Sequence, residues 1–472
     1  MNRKQFIQQT SLASAGLFFS KLLFATVNDN FPVVRVAASQ RKFTSKAVEK
    51  LIADVQKNIG NKELGWMFGN CFPNTLDTTV DFEMIDGKPD TYVITGDIDA
   101  MWLRDSSAQV WPYIPLCKED KDLQQLIKGV INRQVKCVLK DPYANAFYKD
   151  EKKISEWKDD LTEMKPGVHE RKWEIDSLCY PIRLSYGYWK ITGDSTLFDE
   201  QWIEAMKLII KTFKEQQRFE GRGSYHFQRY NNRWAIEGIP MDGYGNPIHP
   251  NGLICSIFRP SDDATIFPFL IPSNFFAANE LKHIAEIFSV IVKDANTAAD
   301  ATNLSNQVLN ALNTYAAVNT SGGKIYAYET NGYGSYNLMA DSNVPSLLSL
   351  PYLIPEMKKD IVYQNTRKNS LSLHNPYYYK GSVADGIGGP HCGENMIWPL
   401  SITMRGLTSS DENEIKNCLI TLQKTHAGTG FMHESFHKDD PTKFTRKWFA
   451  WANTLFGEFV WKVYQTKPYL LK

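Results

Sequence analysis

Apolar positions along this chain recur at helical spacing, and they do so in paired segments separated by polar turns. Asp105 to Leu116 leads into the turn Lys118-Glu119-Asp120, after which Leu123, Leu126, Ile127, Val130 and Ile131 fall at i, i+3, i+4, i+7 and i+8. Ile175 to Ile191 runs to Thr192-Gly193-Asp194, a C-cap glycine and turn, and Trp202 to Phe213 supplies the second helix of that pair. Phe275 to Val292 precedes a helix from Asn303 to Ala317. Ser346 to Leu353 is broken at Pro355 and resumes at Met357. Asn395 to Leu407 reaches Ser409-Ser410-Asp411, an N-cap cluster for Glu412 to Thr425, and Lys447 to Tyr464 closes the series. Strand-like runs are few: Thr79 to Met84, Thr91 to Thr95 and Lys324 to Tyr328. The pattern predicts an all-α chain of about six helical hairpins, best closed as an (α/α)6 toroid with a few short strands in its loops. An open solenoid would need a tighter fixed period than the irregular loops of roughly 20 to 40 residues permit.

Composition narrows the picture. The chain has 472 residues, of which 43% are hydrophobic and 22% charged, so wholesale disorder is excluded and a large core is available. Lys+Arg 53 against Asp+Glu 52 leaves a net charge of +1, with no basic footprint for nucleic acid or an anionic membrane. Aromatic residues reach 13%, which suits a core, an interface or a sugar-stacking cleft. The N-terminus, Met1-Asn2-Arg3-Lys4-Gln5-Phe6-Ile7 followed by a largely apolar stretch to Ala25, resembles an export signal. We therefore expect a leader over residues 1–30, a single catalytic domain over residues 40–472, and a periplasmic or cell-surface location. No later stretch has the ~18 consecutive apolar residues of a membrane span. The seven cysteines are scattered without a C-x-x-C pair and read as buried small hydrophobes, with at most one disulfide whose pairing is not legible.

Candidate chemistry concentrates in the loops. Asp97, Asp99, Trp102, Arg104 and Asp105 sit within Thr95 to Gln109, where acids, a cation and an indole can bind hydroxyls and stack on an apolar ring face. The plainer reading is helix capping by Asp105 or Ser106. His169 to Ser177 again places charge beside Trp173, and by itself reads as a solvated helix start. Phe258-Arg259-Pro260-Ser261-Asp262-Asp263 offers adjacent carboxylates. One of them could cap a helix while the other points into a cleft as a general acid. Ala384 to His391 is a glycine turn leading toward Trp398, a candidate cleft wall. Finally, His433-Glu434-Ser435-Phe436-His437 matches H-E-x-x-H formally, and Glu458 follows as a third possible ligand. Gly428, Gly430 and Pro441 crowd that run too closely for the stable helix a zinc site needs, so Glu434 reads better as a loop carboxylate.

The segments Gly96 to Asp105, Phe258 to Asp263 and Met432 to His437 resemble glycoside hydrolase family 125, whose members are exo-acting, metal-independent α-mannosidases favouring α-1,6 linkages. The resemblance runs from about Ser45 to the C-terminus and agrees with the toroid inferred from periodicity. It implies an inverting mechanism with an acid in Asp262-Asp263, Asp262 being preferred, and Glu434 as base. Inversion predicts carboxyl groups roughly 6.5–9.5 Å apart. It further implies that Asp97, Asp99, Trp102, Arg104, Asp105, His391, Trp398 and His433 serve a mannose-containing oligosaccharide, without metal or cofactor. Competing readings are a different (α/α)6 glycosidase acting on α-glucosides, a zinc peptidase using His433, His437 and Glu458, and a carbohydrate-binding toroid without catalysis.

Overall fold

Six helices pack in a closed cycle. Leu103–Val110 lies on Ile175–Thr192, which lies on Ile271–Ile287; the cycle continues through the short Leu350–Leu353 to Pro399–Thr408 and Ala450–Thr466, and the last helix returns to Leu103–Val110. Outside them run Lys121–Lys140, Glu200–Gln216, Ala295–Tyr315, Ile361–Ser370, Glu412–Thr425 and Lys62–Cys71. This is the all-α (α/α)6 toroid. The computed structural model describes residues 31–230 and 237–472, and Val34–Lys472 form one unit. The expected leader over residues 1–30 lies outside the described residues. Among the described residues no helix is long and apolar enough to cross a membrane.

Local sequence explains most of the boundaries. Asp120 caps two helices at once. Its Oδ1 accepts from the backbone N–H groups of Asp122 and Leu123 at the start of Lys121–Lys140. Its Oδ2 accepts from Ser45 and from the Ala47 N–H at the start of Lys46–Asn58. Gly193 ends its helix at φ 73°, the left-handed cap that the glycine turn predicts. Asp411 caps Glu412–Thr425 through the Asn413 N–H. The hydrophobic pattern missed the N-terminal pair Lys46–Asn58 and Lys62–Cys71, the latter being the outer partner of the closing helix. It also started one helix too early. Met396–Ile397 is a strand paired with Phe436 and His437, and the helix begins only at Pro399, which suits a first helical position.

The cycle positions the loops that matter. Trp102, Trp398 and Phe449, the N-cap residues of three inner helices, all line one cavity of about 330 Å³. The positive ends of those helix dipoles therefore face the same space, which favours acidic side chains there. Three-stranded sheets brace the loops: Met101–Trp102 with Ala146–Phe147 and Val168–Glu170, and Met396–Ile397 with Ser435–His437 and Asp440–Thr445. One glycine sets a close approach. At Gly96 (φ 139°) a Cβ would stand 2.3 Å from the Trp448 carbonyl, so only glycine lets residues 95–97 lie against 446–450.

Candidate active site

The first wall is built on Arg104, which is 2% exposed. Its Nη1 donates to Glu174 (2.6 Å) and Asp176 (3.0 Å), and its Nη2 to Asp262 (3.4 Å). One planar guanidinium thus holds three carboxyl groups, two at the start of the helix Ile175–Thr192 and one in a distant loop, a task its fork of donors suits. Burial raises the pKa of neighbouring Asp105 to about 6; the charge of Asp262 adds to this, and Arg104 and Arg446 oppose it. Lys172 is equally buried and pairs with Glu237 (3.0 Å) and Glu170 (3.4 Å).

Asp262 and Asp263 do not cap a helix. Residues 259–263 form a tight turn in which Arg259 N–H donates to the Asp263 carbonyl and Asp262 N–H to the Arg259 carbonyl; the helix begins only at Ile271. Asp262 sits at φ 66°, a left-handed conformation costly for a non-glycine residue, and its carboxyl lines the cavity. Asn145 Nδ2 donates to it at 3.1 Å. Burial would raise its pKa, but Lys172, Arg104, a hydrogen bond from Glu174 and His391 outweigh burial and hold it low. Glu174, wholly buried, is pushed well above the carboxylate range by burial, against the opposing charge of Arg104. The two carboxyl groups titrate as a pair, and their surroundings push them in opposite directions, toward the acid at Glu174 and toward the anion at Asp262.

Asp263 points the other way. It is 1% exposed and accepts from His391 Nδ1 at 3.0 Å. Burial disfavours the charged imidazole, but the Asp263 hydrogen bond and charge, with those of Glu434 and Asp262, raise His391 to about 9. The cavity therefore contains an imidazolium.

Glu434 enters from the extended segment ahead of Ser435–His437 and is 6% exposed. Arg446 Nη1 stands 3.5 Å from its Oε1, and the Cys392 thiol donates to its Oε2 at 3.3 Å. Arg446 also binds Asp97 (2.8 Å through Nε) and Thr95 (3.0 Å). Because this run is extended and not helical, His433 and His437 are not one helical turn apart. His433 instead stacks on Phe444 with ring centroids 3.6 Å apart, and burial pushes its pKa down to about 4. Glu458 is engaged elsewhere, by the Tyr352 hydroxyl at 2.8 Å. The residues of the zinc reading do not converge.

Of the residues singled out from sequence, Trp102, Arg104, Asp105, Asp262, His391, Trp398 and Glu434 line the one cavity. Asp97 reaches it only through Arg446. Asp99 does not: its side chain is 78% exposed, faces Lys153 and lines a separate surface depression. His433 and Asp263 lie behind the wall, for the packing reasons just given. The largest correction concerns His169 to Ser177, which reads as a solvated helix start but is buried throughout, with Glu174 and Asp176 at 0% exposure. Charge density beside a tryptophan was its only signal, and such a run is buried only when a partner like Arg104 arrives from a distant loop. Asn145, Cys392 and Arg446 carried no signal. Among the indoles, Trp157 and Trp451 also line the cavity, whereas Trp173 is core and donates to the Cys255 carbonyl at 2.7 Å. All seven cysteines are free thiols.

A closed ring of helix pairs with acidic residues gathered in a small aromatic-walled cavity fits an enzyme acting on a small polar ligand, and paired carboxyl groups there suit glycoside hydrolysis. Residues 61–461 match the family described as metal-independent alpha-mannosidase (GH125). A solved structure from Streptococcus pneumoniae, described as a metal-independent alpha mannosidase in non-productive complex with alpha-1,6-mannobiose, is 40% identical with a TM-score of 0.86, covering 90% of this chain and 100% of that one. The meiotically up-regulated gene 157 protein of Schizosaccharomyces pombe is 41% identical over 460 residues, covering 93% of this chain and 90% of its own. The chain belongs to glycoside hydrolase family 125 and is a glycoside hydrolase of the α-mannosidase type.

Proposed function

We propose that this enzyme is an exo-acting, inverting α-mannosidase that removes terminal mannose from α-1,6-linked mannosides. The observation that carries the reading is that two carboxyl groups from distant loops, Asp262 and Glu434, open onto one small cavity. Asp262 lies against a protonated carboxyl partner and serves as the general acid on the glycosidic oxygen. Glu434, held by Arg446 and Cys392, serves as the base that takes a proton from the attacking water. As the glycosidic bond breaks, the Asp262 proton goes to the departing oxygen while water adds to the anomeric carbon from the opposite ring face. Trp102 and Trp398 supply apolar faces for the ring, and Asp105, Arg104 and the His391 imidazolium supply hydrogen-bonding partners for its hydroxyls. Among the described residues the indole N–H groups of Trp102 and Trp398 meet no hydrogen-bond acceptor, which favours a site that meets polar ligand atoms. A cavity of about 330 Å³ is at the small end for ligand pockets, which suits one terminal sugar better than a through-running chain.

The test is hydrolysis of α-1,6-, α-1,3- and α-1,2-mannobioses and α-glucosides, with NMR of the first-formed product. Release of β-mannose from the α-1,6 disaccharide is expected. Activity confined to α-glucosides, or first-formed α-mannose, overturns the reading. Glu434→Gln should lose about 10²–10⁴-fold in kcat; full retained hydrolysis removes Glu434 as base. We also propose that the segment ending near Ala25 directs export to the periplasm or cell surface. A fusion of residues 1–30 to a reporter that remains wholly cytoplasmic would reject that assignment.

A further inference from the structure

Asp262 poses a problem for any acid role. Lys172, Arg104 and the His391 imidazolium all face it, from the run before Ile175–Thr192, from Leu103–Val110 and from the loop before Pro399–Thr408. Three cations around one carboxyl group favour its anion, and an anion has no proton to give.

Glu174 stands behind it, at the N-cap position of Ile175–Thr192, with no solvent exposure and no place in the cavity wall. Its carboxyl is shaped as a partner to Asp262. Asn145 Nδ2 spans the two, 3.1 Å from Asp262 Oδ1 and 3.5 Å from Glu174 Oε1. Arg104 also spans them, with Nη1 on Glu174 and Nη2 on Asp262. Ser177 Oγ donates to Glu174 Oε2 at 2.7 Å, so that oxygen accepts from both Ser177 and Arg104, while Oε1 meets only the long 3.5 Å contact from Asn145 and is the oxygen better placed to carry the proton. Asp176 and Asp105 also face the pair and disfavour a second negative charge, and the His169 ring, whose pKa burial lowers, faces Asp262 from the strand Val168–Glu170.

Resting on the reading of Asp262 as the acid, we propose that Glu174 is a positioning residue that stores the acid's proton and passes it to Asp262 as the glycosidic oxygen docks. The steps balance. The Glu174 O–H bond breaks as an O–H bond forms on Asp262, and the Asp262 proton then goes to the leaving oxygen. The pair is left with two negative charges, which Arg104 bridges, until solvent in the cavity reprotonates Asp262 and the proton returns to Glu174.

The experiment compares a substrate that needs acid assistance with one that does not, using α-1,6-mannobiose and α-mannosyl fluoride. In Glu174→Gln the amide still donates to Asp262 but holds no transferable proton. Its kcat/KM on mannobiose should fall about 10²-fold, with a loss on the fluoride about tenfold smaller or less. The alkaline limb of its mannobiose pH profile should move to lower pH, because the amide stabilises the Asp262 anion. Should Glu174→Gln fail to fold by its thermal melt, Glu174→Asp decides: a withdrawn carboxyl should skew the two rates in the same direction, and an unskewed ratio overturns the proposal. An unchanged ratio and an unmoved limb in folded Glu174→Gln overturn it equally. Asp262→Asn, run in parallel, separates the two ideas. If it loses both substrates alike, or neither, Asp262 is not the acid and the premise fails. If it loses mannobiose selectively while Glu174→Gln does not, only the proton store fails.

Discussion

The His391 ring and the Asp263 carboxylate form a contact whose strength can be worked out and measured. Asp263→Asn keeps the shape of the residue and removes its charge. The His391 pKa stands at about 9 against an ordinary 6.5. At ~1.36 kcal/mol per unit that rise is worth about 3.4 kcal/mol if fully desolvated. The ring is 32% exposed, so solvent screening leaves about 1–2 kcal/mol. The sign follows from linkage: the folded-state pKa lies above the unfolded one, so the stabilisation is fully present below about pH 6.5 and is lost as pH rises through 9. The direct assay is NMR of protein carrying ¹³C-labelled histidine, with His391→Gln assigning the resonance. In the wild type the ring should titrate near 9; in Asp263→Asn it should titrate more than about one unit lower, because burial then acts against fewer charges. The melting-temperature gap between the two proteins should be widest near pH 6 and narrow toward pH 10. A wild-type ring titrating at 6.5, or a gap that does not change with pH, refutes the argument.

Three further outcomes are expected. Burial and the charge of Glu434 push the Cys392 thiol up, so iodoacetamide at neutral pH should modify it far more slowly than an open thiol although it is only half-buried; rapid labelling seen by peptide mapping would contradict this. Arg104→Met strands Glu174, Asp176 and Asp262 without their shared cation and should cost about 3–5 kcal/mol, less at acid pH where carboxyl groups protonate; an unchanged melting temperature counts against it. At Gly406 an added Cβ would lie 2.2 Å from the Phe459 ring, where Pro399–Thr408 meets the closing helix. Gly406→Ala should therefore destabilise by about 1–3 kcal/mol in thermal or urea unfolding, and a neutral result would mean the two helices can part freely.

Local patterning carried the helix pairs, the glycine cap at Gly193 and the cap at Asp411, because helical periodicity and capping depend on residues three or four apart. The resemblance at three loop segments carried Asp262, Glu434 and part of the cavity wall, while Trp157, Lys172, Arg446 and Trp451 came from elsewhere. The N-terminal pair Lys46–Asn58 and Lys62–Cys71 escaped the pattern, although it supplies the closing helix with its outer partner. What the chain could not show along its length was which charges meet. Arg104 is 70 residues from Glu174 and 158 from Asp262, and Arg446 is 349 from Asp97. Whether a charged run such as His169 to Ser177 is solvated or buried depends on those distant partners, since burying a charge is costly until a counter-charge and hydrogen bonds arrive. The same holds within the pair Asp262-Asp263: a left-handed backbone turn sends one carboxyl into the cavity and the other behind His391. Periodicity thus determined that helices would pair around a core, and ring closure decided which helix N-terminal ends, those at Trp102, Trp398 and Phe449, and which acids with them, would meet in one cavity.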